Sequence, residues 1–237
     1  MLDVIQISYY EENADEHFEY LKIFAPNAKR VQGVKGIFEA HKAAAQIAET
    51  NNFYVVDADA IIEEDFDFNF RPDSRKLQYG HIPENECVYV WRSRNPVNDL
   101  VYGYGGVKLF PRKALREAEF WNIDMTTTLG CPFVPKFEIS NITAFNVNPF
   151  ETWKSAFREC AKLASSIIPN GDNVDNLYRL DVWGSRGENR PYGEYCITGA
   201  RQGREFGTHY KNDWKSLKLI NNFDWLREQF NKVYDEK

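Results

Sequence analysis

The sequence predicts an α/β protein: a mostly parallel central sheet flanked by helices and followed by a helical C-terminal region. Three observations carry this. The first sixty residues alternate in the order strand, helix, strand, helix, strand, which is the order of a doubly wound half-sheet. Phe53 to Val56 is a short, wholly apolar run of the kind buried on both faces of a parallel sheet. From Pro149 onward, apolar residues recur at helical spacing.

Leu2 to Ser8 is the first strand, and Phe18, Leu21 and Phe24 share one side of a helix over Ala14 to Phe24 that Pro26 stops. Lys29 to Gln32 is a short extended piece leading to Gly33 and Gly36. After it, Ile37, Ala40, Ala44, Ile47 and Ala48 fall on one helical face. Phe53 to Val56 is the third strand, and right-handed crossovers put the strand ends on one common edge.

The middle is less regular. Asp65 to Phe70 alternates acid and phenylalanine, Arg71 to Gly80 reads as a polar connector, and Cys87 to Trp91 as a strand. Asn95 to Gly106 reads as a loop entering a strand at Gly106 to Phe110, with Pro111 opening a helix over Arg112 to Phe120. Phe137 to Val147 predicts a further strand. Phe150, Trp153, Phe157, Cys160, Ala164 and Ile167 form the apolar face of a helix begun by Pro149, with Lys154, Arg158 and Lys162 opposite. Asn170 to Asn173 breaks that helix, and Val174 to Trp183 predicts a short one. Gly184 to Thr208 reads as a long loop, a length that is usually functional, and Asp213 to Tyr234 as a helical tail.

Composition narrows the function classes. With 237 residues the chain can bury one good-sized core, and 43% hydrophobic against 27% charged residues excludes a disordered chain. A net charge of −6 excludes a protein that coats nucleic acid through bulk charge and leaves a local basic groove open. Cys87, Cys131, Cys160 and Cys196 form no C-x-x-C pair, so neither a zinc ribbon nor a disulfide framework is expected. The early acids, Asp3 and then Glu11 to Glu16, argue against a secretory signal, and no apolar run approaches a membrane span. A cytoplasmic protein with no membrane partner is expected. The 15% aromatic share suits stacking on rings or sugars and equally suits a well-filled core.

The third strand ends in two acids one residue apart, Asp57 and Asp59. Ligands of open α/β sheets bind outside the carboxyl ends of the strands, and two oxygen donors there suit a hard divalent ion against a phosphate. Spacing alone does not decide this: Asp65 and Asp67 have it too, without a preceding apolar strand. The competing reading is that Asp57 and Asp59 only end a strand and cap a turn.

At these residues the sequence resembles a family. The N-terminal strand, V-Q-G-V-K-G-I, the small-residue helix and F-Y-V-V-D-A-D are similar to the nucleotide-binding half of glycosyltransferases of the GT-A fold, whose sheet is Rossmann-type. Y-G-Y-G-G-V-K-L-F at 102–110 and W-K-S-A-F-R-E-C at 153–160 resemble small glycosyltransferase-like proteins of tailed bacteriophages. Some of that group put sugars on hydroxymethylated pyrimidines of phage DNA. The resemblance covers residues 1 to about 165. It implies one GT-A-like domain over 1–237, with a nucleotide-binding half at 1–62, an acceptor-side half at 63–165, and C-terminal loop and helices at 166–237. For a phage-encoded chain the implied compartment is the cytoplasm of the infected cell.

The resemblance also implies site residues. Gly33, Lys35, Gly36, Asp57, Asp59, Gly105 and Gly106 would hold a nucleotide-sugar donor, with Asp57 and Asp59 on a divalent cation, Mn²⁺ or Mg²⁺. His209, in F-G-T-H-Y-K-N-D, is the candidate third metal ligand; a solvated or structural histidine is the competing reading. The glycines at 103–106 would let backbone approach the ligand closely, and equally suit a tight turn before a strand. Inverting transfer needs a carboxylate to take the acceptor proton. Asp124 is the first candidate and Glu138 the reserve, and the family's adjoining acid is missing beside Asp124.

Double-stranded DNA carrying hydroxymethylated bases is the favoured acceptor, and it requires local positive charge. Arg92 and Arg94, the stripe Lys154, Arg158 and Lys162, and Arg186, Arg190, Arg201 and Arg204 are the candidates; a solvated face balanced by Glu151 and Glu159 competes for the stripe. Two rival functions stay open: transfer to a glycan, lipid or protein, and a non-catalytic nucleotide- or sugar-binding module.

Overall fold

The computed structural model describes residues 1–103, 105–119, 129–166 and 173–234. They fall into two compact units, Met1–Asn95 with Val101–Ala144, and Pro96–Leu100 with Phe145–Lys237.

The first unit opens with the five expected elements: β1 (Asp3–Ser8), α1 (Ala14–Phe24), β2 (Lys29–Gln32), α2 (Ile37–Ile47) and β3 (Asn52–Asp57). β1 lies between β2 and β3 and is parallel to both, with Ile7 opposite Val31 on one side and Asp57 on the other. The three carboxyl ends therefore share an edge. Both faces of these strands are covered. Ile5, Ile7, Phe53 and Val55 pack with Phe38, Ala44 and Ala45 of α2, while Val4, Tyr54 and Val56 pack with Leu21 of α1, Phe66, Phe68 and Trp91. Double-sided burial is why the third strand is apolar without alternation. The buried face of α2 is the expected one only in part: Ala40, Ala44 and Ala48 are buried, but Ile37 and Ile47 are 50% and 41% exposed, and Phe38, His41 and Ala45 are buried instead. The alanines form the face that meets the sheet.

Seven more strands follow: β4 (Ala60–Ile62), β5 (Leu77–Tyr79), β6 (Ile82–Pro83), β7 (Val88–Arg94), β8 (Val101–Tyr102), β9 (Val107–Pro111) and β10 (Phe133–Thr143). The main sheet runs β2-β1-β3-β9-β7-β10-β4, and β8 pairs with β7. Beyond β3 it is mixed: β9 is antiparallel to β3 and β7, and β10 is parallel to β7 and antiparallel to β4. A parallel return needs a crossover, usually a helix. Among the described residues between β7 and β9 the one element is the short strand β8, and β9 returns antiparallel. The polar connector at 71–80 contributes to a small β5–β6 hairpin. The next helix, α3, is Arg112–Glu117. β10 starts earlier than expected and bulges: its pairing with β7 slips after Lys136, leaving Phe137 and Glu138 outside the ladder.

The second unit is helical: α4 (Pro149–Ser165), α5 (Asn173–Ser185), α6 (Gly193–His209), α7 (Trp214–Leu217), a 3₁₀ turn at Lys218–Asn221, and α8 (Phe223–Tyr234). Asn148 caps α4 by accepting from the Glu151 amide, and Pro149 takes the first turn, where its missing N–H costs nothing. The expected loop at Gly184–Thr208 is a correction: most of it is α6. Gly199, Gly203 and Gly207 read as breakers, but they form one face of α6. A Cβ on them would strike the carbonyl oxygens of Trp153, Phe157 and Ala161 on α4. Without side chains there, the two helices approach backbone to backbone. Trp153, Phe157, Phe206, Trp225 and Phe230 make ring contacts joining α4, α6 and α8, so much of the aromatic surplus fills this unit's core.

The architecture is α/β, with a central sheet flanked by helices and a helical C-terminal region, consistent with a GT-A-like fold. No described helix is long and apolar enough to cross a membrane.

Candidate functional site

Asp57 ends β3 at the shared carboxyl edge, and Asp59 follows in the turn to β4. Three hydrogen bonds from three directions hold the backbone of this turn. The Asp57 amide donates to Gly106 O (2.9 Å), and the Ala144 amide donates to Asp59 O (2.7 Å). His17 Nδ1 lies 2.7 Å from Ala58 O, and because a carbonyl only accepts, Nδ1 carries the proton. The other Asp-x-Asp has no such frame. Asp65 and Asp67 are exposed, and Asp67 accepts from the Asn69 amide in a local turn.

The electrostatics of the pair are those of crowded carboxylates. Burial first, then the charges of Asp57 and Glu11, push the Asp59 carboxyl up to about 7. Burial also raises Asp57, against the pull of the Lys108 ammonium. Asp57 is half-buried; its Oδ2 lies 3.2 Å from Lys108 Nζ, and its Oδ1 is buried with no partner. Lys108 Nζ also donates to the Gly105 carbonyl. An orphaned carboxylate oxygen beside a second carboxylate is donor chemistry that fits a hard divalent cation. Among the described residues no group of three or more His, Cys, Asp or Glu side chains is gathered for a metal. A cation here would take most of its shell from ligand oxygens and water, which is the habit of Mg²⁺ at phosphate sites.

The same edge carries the other expected donor residues. Gly33 and Gly36 both have positive φ (75° and 95°), a conformation open to glycine, and they shape the turn from β2 into α2. The Gly33 amide donates to Ser8 O at 2.9 Å, and Lys35 between the glycines is exposed. Gly36 is the N-cap of α2, with no side-chain hydrogen bond to the first turn. Gly106 lies under Asn141, whose amide would collide with a Cβ there. Asn141 is held by Ser93 and Ser140 at 2.9 and 2.8 Å.

Sequence reasoning missed four residues here. Tyr9 and Tyr10 follow β1 with rings 5.0 Å apart and are 41% and 74% exposed. Glu11 accepts from the Tyr9 amide at 2.6 Å and adds negative charge to the pair. Lys108 is the fourth. The one available signal was a lone lysine in an apolar strand, V-K-L-F, beside the acid-bearing strand.

The remaining expected residues are divided between the two units. Asp124 lies outside the described residues. Glu138 is exposed in the β10 bulge next to Phe137, and Arg92 stacks over the Phe137 ring at 4.8 Å. Arg94 pairs with Glu63 at 3.1 Å. In the second unit the basic stripe of α4 is engaged within the helical core. Lys154 pairs with Glu151 and stands over Phe223, Arg158 donates to Ile220 O at 2.8 Å, and Lys162 pairs with Glu159 at 3.0 Å. Arg190 pairs with Asp99 at 3.0 Å. His209 ends α6 rather than standing in a loop, is exposed, and lines a shallow cavity of about 570 Å³ with Arg201, Arg204, Glu205 and Thr208.

No family model matches the chain, and no curated protein matches it. Among solved structures it is similar to HddC from Yersinia pseudotuberculosis, at 12% identity and TM-score 0.35 over 59% of this chain and 71% of that one. It is also similar to a glycosyltransferase involved in the glycosylation of the major capsid of PBCV-1, at 13% identity and TM-score 0.34 over 58% and 83%. At that level of likeness neither neighbour carries a function across.

Proposed function

We propose that this chain is a metal-dependent glycosyltransferase. In this reading it moves a sugar from a nucleotide-diphosphate sugar to an acceptor hydroxyl, with a 5-hydroxymethylated pyrimidine in phage DNA as the favoured acceptor. The observation that carries the reading is the acid turn. Two crowded carboxylates are held at the carboxyl edge of a parallel half-sheet, one with an orphaned oxygen, while the chain's other Asp-x-Asp lies exposed. Asp57 and Asp59 would hold Mn²⁺ or Mg²⁺, which supplies Lewis-acid stabilisation of the departing diphosphate when bound.

The chain's own groups account for the rest of the donor. Tyr9 and Tyr10 present exposed rings on which a base stacks, a contact that tolerates any base because each has a π-face. On the acceptor side, Glu138 and Asp124 are the carboxylates proposed to take the hydroxyl proton. The cavity lined by Arg201, Arg204 and His209 offers positive charge to a phosphodiester backbone.

Mass spectrometry of hydroxymethylcytosine DNA, incubated with the protein, Mn²⁺ and mixed nucleotide-sugars, tests the proposal. A sugar mass added to hydroxymethylated and not to plain DNA is expected. Labelling of glycan, lipid or protein instead moves the acceptor, and the absence of both transfer and donor hydrolysis contradicts the enzyme.

A further inference from the structure

We propose that Lys108 is a resident counter-ion of the acid pair and makes a divalent cation and a diphosphate bind together rather than separately. This rests on the donor-site reading above, which concerns what binds; the present step concerns what Lys108 does to that binding.

Lys108 stands on β9 opposite Val55 of β3. It is 7% exposed, and its neighbours Val107, Leu109 and Phe110 are fully buried. An ammonium group in such a place is costly unless it is paired. Its pairing is specific: Asp57 Oδ2 at 3.2 Å and the Gly105 carbonyl. Asp57 is thereby divided, with Oδ2 held by the ammonium and Oδ1 buried without a hydrogen-bond partner. The site carries a fixed positive charge before any ligand arrives.

The consequence is electrostatic. A divalent ion alone at Oδ1 meets the Lys108 ammonium a few ångströms away, where like charges repel strongly in a partly buried site. A diphosphate alone meets Asp57 and Asp59, with Glu11 adding to their field. Bound together, the diphosphate offsets the ammonium's repulsion of the cation, and the cation offsets the carboxylates' repulsion of the diphosphate. Lys108 penalises the cation alone, the carboxylates penalise the diphosphate alone, and the pair escapes both penalties. A lysine that only fills the sheet and neutralises Asp57 gives no such coupling.

The test uses Mn²⁺ alone as probe. Free Mn²⁺ is followed by electron paramagnetic resonance during titration of the full chain, with and without inorganic pyrophosphate, corrected for Mn²⁺–pyrophosphate formed in buffer. The comparison variants are Lys108→Met, which keeps the length without charge, and Lys108→Gln, which keeps a hydrogen-bond donor for Asp57. Circular dichroism melts verify folding. Wild type is expected to bind Mn²⁺ at least about tenfold more tightly with pyrophosphate present. Either folded variant is expected to bind Mn²⁺ alone about tenfold more tightly than wild type and to lose most of the enhancement. A folded variant with wild-type Mn²⁺ affinity and enhancement overturns the role of Lys108 and leaves the donor site standing. Wild-type protein that binds Mn²⁺ with no enhancement also overturns it, a result that needs no variant to fold. If wild type binds neither Mn²⁺ nor pyrophosphate, the donor-site reading fails and this inference falls with it.

Discussion

His17 Nδ1 on α1 lies 2.7 Å from the carbonyl oxygen of Ala58, the residue between the two acids. One hydrogen bond thus ties a helix to the centre of the turn that presents the carboxylates. His17→Ala leaves a buried carbonyl without its donor, and unfolding in urea should register a loss of about 1–3 kcal/mol. In the protein that remains folded, Mn²⁺ binding should weaken because the turn is free to splay. Unchanged stability together with unchanged Mn²⁺ binding would show that the contact does not hold the turn.

Gly106 and Asn141 form a second fixed contact beneath the same turn. Gly106→Ala forces its new methyl into the Asn141 amide, and overpacking of this kind costs about 1–3 kcal/mol. Asn141→Ala opens the space. The double variant should be more stable than the sum of the two single losses, by roughly 0.5–3 kcal/mol of coupling in a double-mutant cycle. Strict additivity would mean the two groups do not touch.

The glycines of the helical unit have different jobs, and alanine substitution should separate them. Gly203→Ala places a Cβ against the Phe157 carbonyl and must push α6 off α4, whereas a Cβ at Gly184 would lie at an ordinary 3.6 Å from Arg201 Cγ. The first is expected to lower the melting temperature by several degrees, in line with about 1–3 kcal/mol of overpacking. The second should be neutral or stabilising, by up to about 1 kcal/mol from helix propensity. Equal effects would contradict the close helix pair.

Buried His41 and half-buried Asp3 both pull stability down as the solution is made acid. Burial, then the charge of Lys108, hold His41 down at about 3, against the opposing hydrogen bond to Ile37 O. Unfolded, a histidine titrates near ~6.5. Between those values the unfolded chain takes a proton that the folded chain refuses, so His41's contribution falls as pH drops through that window, by up to about 1.4 kcal/mol per pH unit, while Asp59, raised to about 7, contributes with the opposite sign down to its unfolded value near ~3.9. Asp3 acts lower. Burial opposes its charge, but hydrogen bonds from the Thr50 and Glu49 amides, with Lys29, bring it to about 2. Its contribution is complete above the unfolded value near ~3.9 and is lost as pH falls from there toward 2. Relative to wild type, His41→Leu should lose less stability, or gain some, between pH ~6.5 and about 4, and keep the loss below it. A variant curve that parallels wild type throughout would assign the acid loss to other groups.

What could be read from the sequence follows from how local each signal is. β1 through β3 were legible because each strand and helix carries its own periodicity, and Asp57 was legible because its strand ends where the apolar run ends. The reversal at β9 was not, since antiparallel pairing depends on what does not fit between β7 and β9 rather than on any residue within them. α6 was misread because glycine is a breaker when judged alone, and only the neighbouring helix reveals Gly199, Gly203 and Gly207 as a contact face. Ile37 and Ile47 misled for the converse reason: large apolar residues drew the face, while alanines and Phe38 form it. Lys108 and Tyr9 reach the acid edge from other strands, so no linear spacing announces them.

The central claim is that the strand-end acids, and not Asp-x-Asp spacing as such, build the donor site. Calorimetric titration of nucleotide-diphosphate sugars with Mn²⁺ tests it most directly, comparing wild type with Asp57→Asn, Asp59→Asn and the matched control Asp65→Asn with Asp67→Asn. Donor binding that needs Mn²⁺, falls at least about tenfold in each of the first two variants, and is unchanged in the control is the expected result. Undiminished binding in Asp57→Asn and Asp59→Asn, or no binding in wild type, would contradict it.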